Sequence, residues 1–519
     1  MHTKSPTKRK LEFGDFQTPP ALARQVCALL SAEGLTPASI IEPTCGLGNF
    51  LLSALHQFPS VNKAVGLEIN ASYVNALKQT LLGQPYASKA VILHEDFFDA
   101  DWPSILGGLQ QPLLVVGNPP WVTNAALGVL NSSNLPDKGN FQNHPGLDAI
   151  TGKSNFDISE WMLIQTLNWL EGREGTLAML CKTAVARKVL WHAWKNKMHL
   201  GRSHMYPIDA QQHFGASVEA CLLVCQFSPS AQDYTCLVHS RFAHGDSGRL
   251  IGYVDDLLIA DLDRYQRWGH LKGQNVYRWR SGIKHDCAKV MELQRKGAIC
   301  RNGLGELVDI EDDYLYPMLK SSEIANGCGG NPTRWMLVTQ RSVGSTTLTI
   351  REAAPKTWRY LEGHAELLDQ RASSIYKGRP RFSIFGVGEY SFALWKVAIS
   401  GFYKRLDFKV IGPFMGKPVV LDDTSYFLSC ESREEAEHLA SILNSQLARN
   451  FFEAFIFWDA KRPITADLLD MLDLTKLSRE LGAEVALKSD ILLKSVGTRV
   501  DPNQISLFAF IQDAGIHVD

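Results

Sequence analysis

Charge of one sign is in short supply in this chain: 53 Lys and Arg face 54 Asp and Glu over 519 residues, a formal net charge of −1. That balance excludes a global field that would gather a polyanion, so any nucleic-acid binding must come from a local basic face. Long apolar runs are also missing, and no stretch approaches the length of a membrane span. The basic start (Lys4, Lys8, Arg9, Lys10) leads into Leu11-Glu12-Phe13-Gly14-Asp15, which speaks against a secretory signal. The ten cysteines form no CxxC pair, and Cys221 and Cys225 fall on alternate sites of an apolar strand. Core thiols in a reducing cytoplasm are therefore expected, rather than disulfides or zinc. His204, His213 and His285 lack ligand spacing, so no metal is expected. No internal repeat or low-complexity tract stands out. An acid–acid–Lys nuclease constellation is likewise missing, since Arg379-Pro380-Arg381 has no carboxylates to hold a metal.

What is present is enough apolar material, 45% of residues, for two to four domains. Apolar runs near 39–42, 64–69, 90–93 and 113–116 alternate with helical periodicity near 48–57 and 71–82, and a helical stripe at 21–30 precedes them. That alternation predicts a parallel sheet with crossover helices. Residues 123–155 are Asn-, Gly- and Ser-rich without periodicity and read as a loop, of a length more often functional than idle. A helix (Phe156 to Leu170), a strand (Gly175 to Leu180), a helix (Thr183 to Lys197) and a strand (Ala220 to Phe227) follow, and Ser228 to Asp233 reads as a linker. Beyond it, short β-like runs (Trp335 to Val338, Phe382 to Phe385, Val419 to Leu421) alternate with turns. Glu434 to Phe455 reads as one strong helix, and Lys284 to Cys287 precede a helical segment.

Asn118-Pro119-Pro120-Trp121 carries the most chemistry. It follows the buried run Leu113 to Val116 and the turn-forming Gly117. The prolines present carbonyls at fixed geometry without N–H groups. An Asn oxygen and a proline carbonyl are suited to accept both hydrogens of an exocyclic amine, and an indole to stack on its ring. Taken alone, the same residues make a rigid turn. Upstream, Ile40-Ile41-Glu42-Pro43-Thr44-Cys45-Gly46-Leu47-Gly48-Asn49-Phe50 runs from strand through a glycine turn into a helix, which lets a cofactor approach the backbone closely. It is not the GxGxxG fingerprint. Roughly 20 residues on, Glu68 ends a strand where a ribose diol would be gripped. Asp96 and Phe97 close a third strand end. Singly, Glu42 and Glu68 read as surface acids and Asp96 as a helix cap; together they outline a nucleoside-shaped crevice.

On these motifs the chain resembles the gamma-class N6-adenine DNA methyltransferases, specifically over about the first 230 residues. The resemblance implies a Rossmann-like class I methyltransferase domain with a mixed, mostly parallel sheet at 1–230 and a C-terminal α+β target-recognition domain at 231–519. It implies S-adenosyl-L-methionine as cofactor. Phe16-Gln17-Thr18-Pro19-Pro20 matches the element that contacts its methionine part, Glu42 through Phe50 (with Gly46 and Gly48) the glycine motif, Glu68 the ribose acid, and Asp96 and Phe97 the adenine pair. Asn118 to Trp121 match the catalytic tetrapeptide, with Trp121 where Tyr or Phe is commoner. Phe214 falls where the family sets a second aromatic against a flipped base; outside that context, a Phe beside a Gly turn reads as core. The implied partners are double-stranded DNA and a separate restriction endonuclease, and one chain holding both parts would suffice as a monomer.

Two stretches of the second half interleave cations with aromatics: Arg371, Lys377, Arg379 and Arg381 among Tyr376, Phe382, Phe385 and Tyr390, and Lys396, Lys404 and Arg405 among Trp395, Phe402 and Tyr403. Beside a methyltransferase domain they are expected to meet DNA phosphates and base edges; by themselves they equally describe a solvated face. The stretch Trp279 to Asp286 has no role that chemistry assigns. The catalytic half fits RNA or protein-glutamine methylation as well, though these leave nearly 300 C-terminal residues unexplained. A catalytically silent DNA-binding subunit is the remaining alternative.

Overall fold

Glu42 and Gly117 end neighbouring parallel strands, and the sheet is built outward from that pair. The computed structural model describes residues 17–122, 157–297, 299–327 and 332–482. Two compact units divide between Asp263 and Arg264.

The first unit is a ten-stranded sheet. Its strands are β1 (Ser39–Glu42), β2 (Lys63–Glu68), β3 (Ala90–His94), β4 (Leu113–Gly117), β5 (Gly175–Lys182), β6 (Leu200–Ile208), β7 (Ala220–Phe227), β8 (Thr235–His239), β9 (Gly248–Val254) and β10 (Leu257–Ile259). Their spatial order is β10-β9-β8-β6-β7-β5-β4-β1-β2-β3. Strands β1 to β5 pair in parallel, whereas β7 runs antiparallel to both β5 and β6. The order reverses between β1 and β4, the switch point where an open α/β sheet leaves a crevice at its strand carboxyl ends. The crossover helices are α1 (Pro20–Ala32), α2 (Asn49–Gln57), α3 (Ala71–Leu81), α4 (Trp102–Gly107), α5 (Ile158–Leu170), α6 (Thr183–Lys195) and the short α7 (Ala210–Phe214). Proline at the first position of α1 costs nothing, because that N–H has no partner within a helix. One core cluster, containing Leu22, Val26, Phe50, Leu51, Leu77, Val116, Trp121 and Tyr206, lies beneath both motifs.

The expected strands and helices of this α/β half are present. Strand β6 has no signature in the sequence because Gly201, Arg202, Ser203 and His204 break its apolar pattern. The division expected after residue 230 also moves, since β8, β9 and β10 continue the first sheet and carry the unit to Asp263.

The second unit is α+β. A six-stranded sheet has the order β14-β13-β12-β16-β15-β19 and a four-stranded one β11-β20-β17-β18. These strands are β11 (Arg280–Ser281), β12 (Glu292–Lys296), β13 (Ile299–Asn302), β14 (Leu307–Val308), β15 (Leu315–Leu319), β16 (Arg334–Leu337), β17 (Trp395–Ser400), β18 (Lys409–Ile411), β19 (Val420–Leu421) and β20 (Ser425–Cys430). The expected single helix at 434–455 is two, α8 (Arg433–Leu443) and α9 (Gln446–Glu453), because the Ser445 side chain caps a fresh helix start. Phe382 to Phe385 form no strand: Phe382 has φ +66°, and Phe385 makes an isolated bridge to Lys284. The helical segment after Cys287 is one turn, Ala288–Met291, which runs directly into β12.

The unassigned Trp279 to Asp286 stretch ties the two sheets together. Trp279 is fully buried, and its backbone N–H donates to Asp470. Gly282 lies so close to the backbone of Leu421 and Asp422 that a Cβ would come within 2.1 Å of an oxygen. His285 reaches the buried Glu292, which also binds Lys320 and Arg334. Burial alone would raise the Glu292 carboxyl, but hydrogen bonds from His285 and Lys320 hold it down at about 2. The described residues contain no helix long and apolar enough to cross a membrane.

Candidate active site

Backbone close approach shapes the cofactor side of the crevice. Gly46 and Gly48 have φ +52° and +79°. A Cβ on Gly46 would meet Gln17 Oε1 at 2.5 Å, and one on Gly48 would meet Leu77 Cδ1 at 2.3 Å. Gln17 Oε1 accepts the Leu47 N–H (3.1 Å), and Asn49 Nδ2 donates to the Thr18 carbonyl (2.8 Å). The segment before α1 is thus stapled to the glycine turn, with Thr18 buried. Gln17 and Asn49 lie inside the two matched motifs without a role of their own there; it is the fold that makes them the staple between those motifs.

Two acids flank this turn. Glu42 is 3% exposed and accepts the Leu51 N–H at the start of α2 (2.8 Å). Burial pushes its carboxyl well above the usual range, against the pull of that hydrogen bond and with help from the nearby Glu68 charge. Glu68 accepts from Gly46 N–H (2.8 Å) and Asn70 N–H (2.7 Å). A carboxylate offers about four acceptor sites, so these bonds are compatible with gripping sugar hydroxyls. Asp96 caps the Phe98 N–H (2.9 Å). Phe97 is buried in a cluster with Phe98, Trp102, Trp161 and Trp169, at ring-centroid distances of 5.2–5.9 Å. An acidic, glycine-backed cradle with neighbouring aromatics fits a nucleoside carrying a positively charged substituent.

Asn118 and Pro119 follow directly on β4. Gly117 lies against Glu42, where an added Cβ would be 3.6 Å from its Cγ. Trp121 turns inward: its indole N–H points to the Leu180 carbonyl (3.4 Å), and its ring is 6% exposed. Phe214 meets it edge to face, with centroids 5.2 Å apart and planes at 68°. Phe214 ends the five-residue α7, started by the Asp209 cap on Gln212 N–H and stopped by Gly215 at φ +67°. The tetrapeptide and Phe214, expected to act together, are therefore adjacent.

Lys182, at the carboxyl end of β5, belongs to no sequence motif. Its ammonium donates to Asp157 Oδ2 (2.6 Å) and to the Trp121 carbonyl (3.3 Å). The chain leaves the described residues at Val122 and returns at Asp157, and Ile158 N–H donates to the Val122 carbonyl (2.9 Å). The loop expected at 123–155 lies outside the described residues. Among the described residues no group of three or more His, Cys, Asp or Glu is placed to hold a metal ion.

In the second unit the six expected DNA-facing cations differ in their engagements. Arg371 is half-buried, donates to the carbonyls of Leu368, His285 and Ser383, and stacks on Tyr376 at 3.7 Å. Arg381 pairs with Asp369 through two nitrogens, and Arg405 donates to the Ala325 carbonyl. Lys377, Arg379 and Lys404 are exposed. Among the described residues no ion pair engages Lys377 or Arg379, which flank Gly378 at φ +70°. Lys396, expected with the same basic face, is instead 1% exposed inside β17, with Nζ donating to the Ala393 carbonyl.

No family model matches the chain. It is 49% identical over 475 residues to the type II methyltransferase M.NspV of a Nostoc species, covering 91% of this chain and 98% of that one. A 115-residue stretch is 28% identical to the type II methyltransferase M.XamI of Xanthomonas campestris pv. amaranthicola, covering 22% of this chain and 21% of that one. Among solved structures, the type IIL restriction-modification enzyme MmeI in complex with DNA overlays with a TM-score of 0.50 at 13% identity, over 90% of this chain and 65% of that one.

Proposed function

This chain belongs to the type II methyltransferases, it uses S-adenosylmethionine, and we propose that it methylates the N6 amine of adenine at one short site in double-stranded DNA. The proposal includes a cytoplasmic setting, a monomer, and a separate endonuclease against which the mark protects host DNA. The observation that carries it is the placement of Asn118, Pro119, Trp121 and Phe214 together at the switch point, beside the glycine-backed acidic turn.

The adenine amine is a poor nucleophile because its lone pair is delocalised into the ring. Hydrogen bonds from both amine hydrogens to the Asn118 side-chain oxygen and the Pro119 carbonyl favour a tetrahedral nitrogen with its lone pair directed outward. S-adenosylmethionine supplies an electrophilic methyl on a sulfonium. Thr18, the glycine turn, Glu42, Glu68, Asp96 and Phe97 are the residues that would hold it. Methylation would make the amine proton acidic, so it would pass to solvent and no residue of this chain need act as a general base before attack. The protein therefore works mainly by orientation and preorganised acceptors.

Reaching the amine requires the base to leave the duplex, at a cost of a few kcal/mol. Stacking on Trp121 and Phe214, at roughly 1–3 kcal/mol per base, is of the size needed to offset it. A third ring between two parallel faces needs roughly 7 Å, twice a van der Waals contact. The Trp121 and Phe214 rings, 5.2 Å apart and edge on, must therefore part as the base enters. In the second unit, exposed Lys377, Arg379 and Lys404 are proposed to meet DNA, with Arg371, Arg381 and Arg405 bracing the segments that carry them.

The test is to express the protein in a host lacking adenine methylation and to map modified bases by single-molecule sequencing. One short motif carrying N6-methyladenine at nearly every occurrence is expected. An unmodified genome with soluble, cofactor-binding protein would contradict the reading and redirect it to RNA, protein or a silent subunit.

A further inference from the structure

Lys182 sits where β5 projects beyond β4, since the paired register of the two strands ends at Gly117 opposite Met179. Its side chain is only partly exposed (24%), and that of Asp157 is 9% exposed. The ammonium therefore lies largely out of water between a buried carboxylate and a backbone carbonyl, at 2.6 and 3.3 Å. Asp157 is itself fixed: its Oδ1 accepts both the N–H (3.1 Å) and the hydroxyl (2.6 Å) of Ser159, which makes it the cap of α5. The same strand end holds Trp121 from its other side, because the Leu180 carbonyl receives the indole N–H. Trp121 is thus gripped at its carbonyl by Lys182, at its indole nitrogen by Leu180 and across its ring by Phe214.

A lysine is not needed there to complete the sheet, since backbone pairing with Ala220 already does so. Nor is this a fully exposed pair of the kind that contributes little, since the Asp157 side chain is buried. Its one evident effect is to hold the last residue of the Asn118–Trp121 turn against a capped helix. We propose that Lys182, anchored by Asp157, is a positioning residue for methyl transfer: it holds the Trp121 backbone so that the turn presents its acceptors and ring in a reactive arrangement. The inference rests on the adenine-methylation reading above and goes beyond it by adding a residue that touches neither base nor cofactor. A misplacement of about 1 Å can cost on the order of 100-fold in rate, which sets the size of the expected effect.

The experiment begins with wild-type protein and a duplex containing the mapped site, measuring kcat, KM for DNA, the S-adenosylmethionine dissociation constant and the melting temperature. Lys182→Met is expected to lower kcat by about 100-fold with cofactor affinity and melting temperature near wild type. Lys182→Arg, which keeps the charge and the donors, recovers most of the rate. Asp157→Asn keeps an oxygen for Ser159, loses the charge, and lowers kcat in the same way. Combining it with Lys182→Met adds no further loss, because both remove one clamp. A kcat for Lys182→Met within about twofold of wild type overturns the proposal, as do independent, multiplying losses. If Lys182→Met fails to fold, Asp157→Asn and Lys182→Arg decide the matter by the same criteria. Wild-type protein inactive on DNA overturns the reaction itself and the positioning role with it, and measuring it first separates the two failures.

Discussion

Trp121, one residue beyond the proline pair after β4, and Phe214, at the end of α7, stand edge to face with ring centroids 5.2 Å apart. If these rings receive the target base, Phe214→Ala removes one stacking partner worth roughly 1–3 kcal/mol. We expect weaker binding of site-containing duplex, by about 5- to 160-fold at RT ≈ 0.59 kcal/mol, with cofactor affinity unchanged. Fluorescence anisotropy of a labelled duplex beside calorimetry of the cofactor reads this directly. Equal affinity for wild type and variant would remove Phe214 from the site.

If Asn118 accepts from the target amine as proposed, Asn118→Ala deletes an acceptor matched to charge developing in the transfer step. Such deletions cost about 100- to 1,000-fold in kcat. Radiolabelled methyl transfer should fall by at least that factor, while cofactor and DNA still bind. A variant that loses DNA binding yet keeps full methylation would contradict the assignment.

Gly48→Ala puts a side chain at φ +79° and within 2.3 Å of Leu77 Cδ1. The left-handed backbone alone costs about 1–2 kcal/mol for a residue with a Cβ, and the clash adds to it. The expected outcome is a lower melting temperature together with weaker cofactor binding. Gly83→Ala serves as the contrast, with a similar φ of +81° but nothing within 4 Å of the added Cβ. It should lose stability only and leave cofactor affinity intact.

Lys396 predicts a pH dependence in the second unit. Burial drives its ammonium down to about 7, with the Cys430 charge a small opposing influence. Unfolded lysine titrates near 10.4. Between those values the unfolded chain holds a proton that the folded chain does not, so stability rises with pH across roughly 7 to 10. Hydrogen exchange of β17 amides should slow as pH climbs through that window, after correction for the intrinsic rate. Lys396→Met should flatten the trend and stabilise the unit at neutral pH. An unchanged slope would mean the ammonium stays charged in the fold.

Lys377 and Arg379 offer a salt-dependence test of the proposed DNA face. Each phosphate contact removed should lower the slope of log binding constant against log salt by about 0.9. Lys377→Ala and Arg379→Ala are expected to do so, by about one unit each if both cations meet phosphates. A slope unchanged in both variants would place the DNA elsewhere on the second unit.

The parts of this protein readable in one dimension are those whose physics is local. A buried strand announces itself by four consecutive apolar residues, as at Leu113 to Val116. A left-handed turn calls for glycine, as at Gly46 and Gly48, and two prolines after an asparagine leave the backbone little choice. These features located the first strands, the glycine turn and the tetrapeptide, because neighbouring residues suffice to cause them; the switch point came only with the strand order. Strand β6, with Gly201, Arg202, Ser203 and His204 in its first half, was not legible: it is held as a strand by β7 and β8 on either side, not by its own pattern. The same holds for the continuation of the sheet to Asp263.

Side-chain direction belonged wholly to the tertiary structure. Lys396 and Arg405 sit in one basic-aromatic stretch, yet β17 carries Lys396 into the interior while the Arg405 side chain reaches the Ala325 carbonyl. Lys182 reads in sequence as any lysine after a strand; only the meeting of β5, α5 and the turn after β4 makes it a clamp. Local propensity and backbone sterics act over a few residues, so the linear chain by itself determined which segments form strands, turns and helices around the motifs. Desolvation and pairing depend on groups brought in from distant segments, so only the fold decided which cations face water, which hold the backbone, and that Trp121 meets Phe214.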